Sequence, residues 1–274
     1  MLRENINFLI TNRVPRIFLT QLVGKISKIK NPYIVKFCIR VWSWFSCLDF
    51  TESEKQEFNS IQECFTRKLR PETRPIDRNP NIVVSPCDAI LGETGIIRGG
   101  QLFQAKDLWY ELAELLGNNK TLALQLEGYL YMTMRLTSSM YHRFHAPCDC
   151  TLTHVTYING DTWNVNPITL QRIQRLFCRN ERAILHFDSD CGKFYMIPVA
   201  AILVAGIKLH AIDTVMDTKY AGPKEYSLNS VYKKGEELGW FQHGSTIIFL
   251  FPVGLTLAAK NQDILKFGQV LLTV

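Results

Sequence analysis

The sequence predicts an α+β protein, a β-rich core behind an α-helical N-terminal segment. Three observations carry that prediction. From residue 81 onward, short apolar runs alternate with turns of Gly, Asp and Asn, which is the pattern of strands. Residues 5–48 instead set short apolar blocks between single cations, with Pro15 and Asn31-Pro32 breaking them into two or three helices. Charge divides along the same line. Residues 1–50 hold eight Lys or Arg against Glu4 and Asp49, so the whole net charge of +6 lies there and residues 51–274 sum to zero.

Composition bounds the rest. With 47% hydrophobic and 20% charged residues, a chain of 274 residues buries a substantial core, as one large domain or two small ones. No window reaches the roughly 18 uncharged apolar residues that span a bilayer. The first residues lack the apolar run and small-residue cleavage site of a signal peptide. The expected location is the cytoplasm or the cytoplasmic side of the cell membrane. The eight cysteines (Cys38, Cys47, Cys64, Cys87, Cys148, Cys150, Cys178 and Cys191) sit mostly in apolar runs and are expected to be reduced thiols.

The N-terminal segment follows from its punctuation. In the run Tyr33 to Phe45, cations interrupt apolar surface without neutralising it, and Trp42 and Trp44 suit a water–lipid boundary. Such a segment either lies on anionic lipid or packs as a helical layer on the core. Residues 51–64 read as a polar-faced helix with Thr51 as N-cap and Glu54 in capping-box spacing. Prolines then make Phe65 to Asp77 extended. Expected strands are Ile82 to Val84, Thr151 to Ile158, Ala183 to Phe187, Met196 to Val204 and Thr246 to Phe251, with helices over 106–117 and 167–176. Neither a repeat nor a low-complexity tract is present.

Candidate chemistry gathers at three places. The turn-prone stretch Gly235 to Thr246 runs into the apolar Ile247 to Phe251, and the junction is Gly244-Ser245-Thr246. Glycine there admits strained backbone, and the serine hydroxyl lies close to the preceding carbonyl. Asp88 follows an apolar strand, where a carboxylate either orients an imidazole or bonds its own turn. Tyr141-His142-Arg143-Phe144-His145-Ala146-Pro147 holds two of the six histidines, and extended backbone turns positions 142 and 145 to opposite faces. The spacing His142, His145, Cys148, Cys150 is too compact for one tetrahedral zinc, so no metal is expected. Asp88, His145 and Ser245 form an acid–base–nucleophile set by type. Without a G-x-S-x-G elbow an α/β-hydrolase is disfavoured, and P-loop, G-x-G-x-x-G and H-E-x-x-H motifs are absent.

Taken together, these stretches resemble the proteobacterial phosphatidylserine decarboxylases. The resemblance runs from about residue 60 to the C-terminus, through Phe65 to Asp77, Pro86-Cys87-Asp88, Tyr141 to Pro147, Gly160-Asp161, Val165-Asn166, Phe177 to Arg182, and Gly235 to Thr246. Y-H-R-x-H-x-P and G-S-T about 100 residues apart are specific together and not singly. The resemblance implies a helical membrane-associating segment over residues 1–60 and a pyruvoyl-dependent catalytic domain over 61–274. It implies a proenzyme that cuts itself between Gly244 and Ser245 into large and small chains, 1–244 and 245–274. Ser245 becomes the pyruvoyl group, which joins the substrate amine and accepts electrons as CO2 leaves. His145, its tautomer fixed by Asp88, is the implied base for cutting, and His142 the implied acid of decarboxylation. The implied partners are phosphatidylserine in an anionic membrane surface and a second copy in a homodimer, with no nucleic acid. His243 departs from the family, which usually has leucine or valine before Gly244, and the segment from Ile212 to Lys234 matches poorly. Two other readings stay open on the residues. One is a membrane-associated serine hydrolase using Asp88, His145 and Ser245 without self-cleavage. The other is a non-catalytic peripheral membrane protein.

Overall fold

The computed structural model describes residues 15–44, 46–105, 108–202, 206–242 and 245–273. His243 and Gly244 lie outside the described residues. Among the described residues three helices come first: α1 (Arg16–Ile26), α2 (Pro32–Ser43) and the short α3 (Ile61–Phe65). Asn31 caps α2 by accepting from the backbone of Tyr33 and Ile34, and Pro32 occupies its first turn, so the predicted break becomes a helix start.

Strands follow in chain order. They are β1 (Ile82–Val84), β2 (Ala89–Ile96), β3 (Gln101–Ala105), β4 (Leu108–Glu111), β5 (Leu130–Leu136), β6 (Arg143–His145) and β7 (Cys150–Ile158). Then come β8 (Arg182–Ser189), β9 (Phe194–Ala200), β10 (Ile207–Leu209), β11 (Val215–Met216), β12 (Glu225–Tyr232) and β13 (Glu237–Phe241). The last are β14 (Ser245–Phe251), β15 (Thr256–Leu257), β16 (Ile264–Leu265) and β17 (Val270–Thr273). A large sheet runs β12-β7-β8-β9-β14-β5-β2-β16, and a smaller one runs β11-β10-β13-β6.

β14 is central, paired to β9 on one side and β5 on the other. Both its faces are covered. Ile247, Phe249 and Phe251 join the core shared with the smaller sheet. Ile248 and Leu250 join a second core beneath Leu112, Leu115, Leu122 and Phe177. Burial on both faces is why this strand reads as an uninterrupted apolar run.

Three predicted helices come out differently, and the stretch Phe65 to Asp77, expected to be extended, holds a 3-10 turn at Pro71–Thr73. Residues 51–59 do not form a helix. The Asp49 carboxylate takes the Thr51 N–H at 2.8 Å, and Glu54 N–H bonds Lys68 at 3.0 Å, which zips the segment to the extended stretch after α3. The cap belongs to Ser60, whose hydroxyl accepts from Glu63 N–H at 3.1 Å. Among the described residues of 106–117 only Leu112–Leu115 is helical, because Leu108–Glu111 pairs with β3. The helix expected over 167–176 splits into Pro167–Leu170 and Leu176–Arg179, separated by Arg175 in left-handed backbone at φ 55°. The Gly235–Thr246 stretch also holds more structure than its turn-prone composition suggests, since Glu237–Phe241 is a strand. A Cβ on Gly239 would stand 2.0 Å from the Lys208 carbonyl oxygen, so that glycine serves a close strand approach.

The N-terminal helices dock through side chains of both polar and aromatic kind. Arg16 pairs with Asp161 at 2.5 Å and lies over the Trp163 ring, and Thr20 meets Thr162 at 3.3 Å. Trp42 of α2 stacks on Phe65 at 5.7 Å. Their outer surface is apolar, with Ile17, Phe18, Leu22, Ile26, Tyr33, Phe37 and Trp44 exposed. Among the described residues no helix is long and apolar enough to cross a membrane.

Candidate active site

The site forms where the two sheets meet. Position 245 begins β14, with Leu136 and Ala200 as its cross-strand partners. Leu136 ends β5. A turn closed by Met140 N–H to the Thr137 carbonyl, 3.0 Å, then carries the chain into Tyr141 and His142. β6 lies against β13, with His145 opposite Glu237, and Phe241 N–H bonds the His142 carbonyl at 3.0 Å. Two histidine positions distant in sequence from residue 245 are therefore tied to both chain segments that flank it.

His142 is fully buried. Its Nδ1 donates to the Met140 carbonyl at 2.8 Å, and its ring centre lies 3.9 Å from that of Phe65. A carbonyl only accepts, so the proton sits on Nδ1 and the lone pair on Nε2. A line of rings, Trp42, Phe65 and His142, thus joins α2 to this histidine.

His145 is buried too. Its Nδ1 donates to the Gly235 carbonyl at 3.0 Å, its Nε2 accepts from the Tyr141 hydroxyl at 3.0 Å, and its ring stacks on Phe267 at 3.7 Å. Burial pushes its pKa down to about 4, so the ring is neutral near pH 7 with its lone pair on Nε2.

Asp88 does not touch His145 in the way the sequence suggested. Its oxygens accept from Arg74 at 3.1 and 2.5 Å, and Oδ1 also accepts from Phe267 N–H at 2.8 Å. The Gly235 carbonyl holds the histidine tautomer instead. Asp88 acts one step removed, by fixing the backbone whose ring stacks on the imidazole. Arg74 also reaches Glu52 at 2.8 Å, and Lys266 reaches Glu52 at 2.8 Å. That arginine contact chiefly holds the Glu52 pKa down to about 2.

Four contributors escaped the sequence reading as individuals: Arg74, Tyr141, Gly235 and Phe267. A fifth is Glu181, which is fully buried. Its carbonyl accepts from Ala200 N–H at 2.8 Å, and Ala200 pairs with Ser245. Neither carboxyl oxygen has a hydrogen-bond partner among the described residues. The nearby Tyr157 hydroxyl donates to the Asp217 carbonyl, 2.7 Å. Burial raises the Glu181 pKa to about 8. Among the described residues no cluster of His, Cys, Asp and Glu is arranged to hold a metal ion.

The arrangement offers a neutral, buried imidazole for proton abstraction, a second imidazole with its own Nε2, and a strand whose first residue is held from both sides. Comparison with known proteins agrees with it. A family model described as phosphatidylserine decarboxylase matches residues 61–273. A phosphatidylserine decarboxylase proenzyme of Photobacterium profundum is 35% identical over 280 residues, covering 97% of this chain and 96% of that protein. The proenzymes of Haemophilus influenzae and Saccharophagus degradans are each 34% identical, covering 94% of this chain and 92% and 93% of theirs.

Proposed function

We propose, for a chain that belongs to the phosphatidylserine decarboxylase family, that it removes CO2 from phosphatidylserine to leave phosphatidylethanolamine. The catalytic domain is residues 61–274, a division supported by the start of the family match at residue 61. The chain is made as a proenzyme that cuts itself between Gly244 and Ser245 and yields chains 1–244 and 245–274. The observation that carries this reading is the pairing of position 245 with Leu136, five residues before a buried tyrosine–histidine pair.

In self-cleavage, His145 accepts the proton of the Ser245 hydroxyl, whose oxygen attacks the Gly244 carbonyl carbon. Phe267 and Gly235 hold the imidazole in the needed tautomer, and Asp88 with Arg74 holds Phe267. The surroundings of position 245 fit a pyruvoyl group. The strand start is walled by two apolar cores, and the unpartnered Glu181 carboxyl lies two strands away. The pyruvoyl group supplies an electrophilic ketone that joins the substrate amine and takes up electrons as CO2 departs. His142, buried with its Nδ1–H committed to Met140, takes up on Nε2 a proton given up by the substrate ammonium group and delivers it to the carbon that loses CO2. Closed surroundings keep water from competing for the carbanion.

The exposed apolar side chains of α1 and α2, with Lys25, Lys28, Lys36 and Arg40 beside them, hold the enzyme as a peripheral protein on the cytoplasmic side of the membrane. Each cation near an anionic surface contributes about 1 kcal/mol. The working form is a homodimer. Intact-mass analysis of the purified protein tests the central claim. Two chains, the smaller beginning with a blocked pyruvoyl residue, are expected. A whole 31.5 kDa chain labelled at Ser245 by a fluorophosphonate would instead establish a serine hydrolase.

A further inference from the structure

The nitrogen that His145 would use as a base is already occupied. Its Nδ1–H is given to Gly235, its ring lies flat on Phe267 with an interplanar angle of 14°, and its Nε2 lone pair accepts the Tyr141 hydroxyl. Only 6% of the residue is exposed. For a serine hydroxyl to reach Nε2 directly, the ring must leave these contacts or the phenol must stand aside. A third route disturbs nothing. The phenol oxygen donates its one proton to Nε2 and keeps lone pairs that accept from a second hydroxyl.

The topology ties Tyr141 to position 245 through β5. It stands five residues after Leu136, the cross-strand partner of position 245, beyond a tight turn, and it is itself 5% exposed. Burial keeps its hydroxyl protonated far above the ordinary tyrosine range, so it serves as a conduit and not as a store of charge.

We propose that Tyr141 relays the proton from Ser245 to His145 during self-cleavage. The serine O–H bond breaks as its proton passes to the phenol oxygen, and the phenol's own proton passes to Nε2. The serine oxygen bonds the Gly244 carbonyl carbon. The imidazolium returns its proton by the same path, through the phenol oxygen, to the nitrogen of residue 245 as the peptide C–N bond breaks and Gly244 is left as an ester on the serine oxygen. The phenol ends as it began, and no outside reagent enters. This inference rests on His145 being the base.

The test follows cutting of the full chain made by cell-free synthesis with detergent, sampled over time by mass spectrometry. Tyr141→Phe is expected to slow cutting by about 100-fold or more, the usual contribution of positioned proton transfer. Tyrosine analogues fluorinated on the ring, placed at 141, keep the hydroxyl and are expected to restore cutting at rates that track phenol acidity. A purely structural tyrosine would show no such trend. Cutting by Tyr141→Phe within about twofold of the natural chain, or analogue rates independent of acidity, would overturn the relay. His145→Ala run in parallel separates the two ideas. If it stays whole while Tyr141→Phe cuts normally, only the relay falls, and if His145→Ala cuts normally the base assignment falls with it.

Discussion

Arg74 and Asp88 form a forked ion pair, 3.1 and 2.5 Å, with both residues buried. Through the Phe267 N–H that Asp88 also accepts, the pair sets the surface on which the His145 ring lies. Removing one partner of such a pair strands the other's charge and typically costs about 3–5 kcal/mol. Asp88→Asn and Arg74→Met should therefore each lower the thermal unfolding temperature and leave the chain uncut. Mass analysis beside calorimetry checks this, and a stable, normally cut Asp88→Asn chain would refute it.

The two histidines should separate cleanly. His145→Ala is expected to remain one chain. His142→Ala should still cut but decarboxylate about 100-fold more slowly, the scale of a lost general acid. Radiolabelled CO2 release from phosphatidylserine, read against the fraction cut, distinguishes them. Loss of cutting in His142→Ala would show that the roles overlap.

Glycine at 239 is required by space. A Cβ there meets the Lys208 carbonyl oxygen at 2.0 Å, so β10 and β13 must part. Gly239→Ala should weaken folding and stop cutting, because β13 carries the approach to residue 244. A soluble Gly239→Ala protein that cuts at the natural rate would contradict this.

Opposite pH trends should appear in stability. The His145 and His186 pKa values fall to about 4, below their ordinary value of 6.5, chiefly through burial. Between those values the unfolded chain binds more protons, so stability rises with pH from about 4 to 6.5 and is fully present above that. Glu181 runs the other way. Its pKa rises from 4.5 to about 8, the folded chain holds the extra proton between them, and stability is lost as pH climbs through that window. Glu181→Gln should therefore gain stability relative to the natural chain as pH increases across it. Denaturant titrations at several pH values provide the measurement, and parallel pH curves for the two proteins would count against the buried, unpartnered carboxyl.

Membrane attachment should be separable from chemistry. Phe18 and Phe37 are 66% and 67% exposed on α1 and α2. A Phe18→Glu, Phe37→Glu chain should sediment poorly with anionic vesicles yet cut itself normally, and added salt should weaken binding of the natural chain. Unchanged sedimentation would place attachment elsewhere.

Some strands buried on both faces were legible as apolar runs, but Leu130–Leu136, also largely buried, was not, because Thr133 and Arg135 interrupt it. Ile82–Val84 and Thr246 to Phe251 read as apolar runs because Val83 and Val84 are fully buried and Ile247 to Phe251 alternate between two cores. Ala89–Ile96 escaped, since Gly92, Glu93 and Gly95 break its pattern while β5 supplies the pairing. Glu225–Tyr232 escaped as an edge strand whose alternate residues face solvent. In the site, residue types carried the candidates but not their partners. Asp88 and His145 look like a bonded couple in the sequence, and the structure gives Asp88 to Arg74 and His145 to Gly235 and Tyr141. Such pairings depend on segments up to 179 residues apart, as between Asp88 and Phe267, and no local pattern encodes them.

The last 30 residues have a further consequence. They supply β14 to the middle of the large sheet, β16 to its edge and β17 to the strand beside β1. After the proposed cut, this fragment is a thread woven through the rest and held by no peptide bond. Its native arrangement is then a record of how it was made. The uncut chain folds as a single molecule, whereas the cut pair, once unravelled, must find each other in solution and reinsert a central strand. Heat or denaturant should accordingly destroy the mature enzyme irreversibly, and its working lifetime is set by the height of the unfolding barrier and not by an equilibrium.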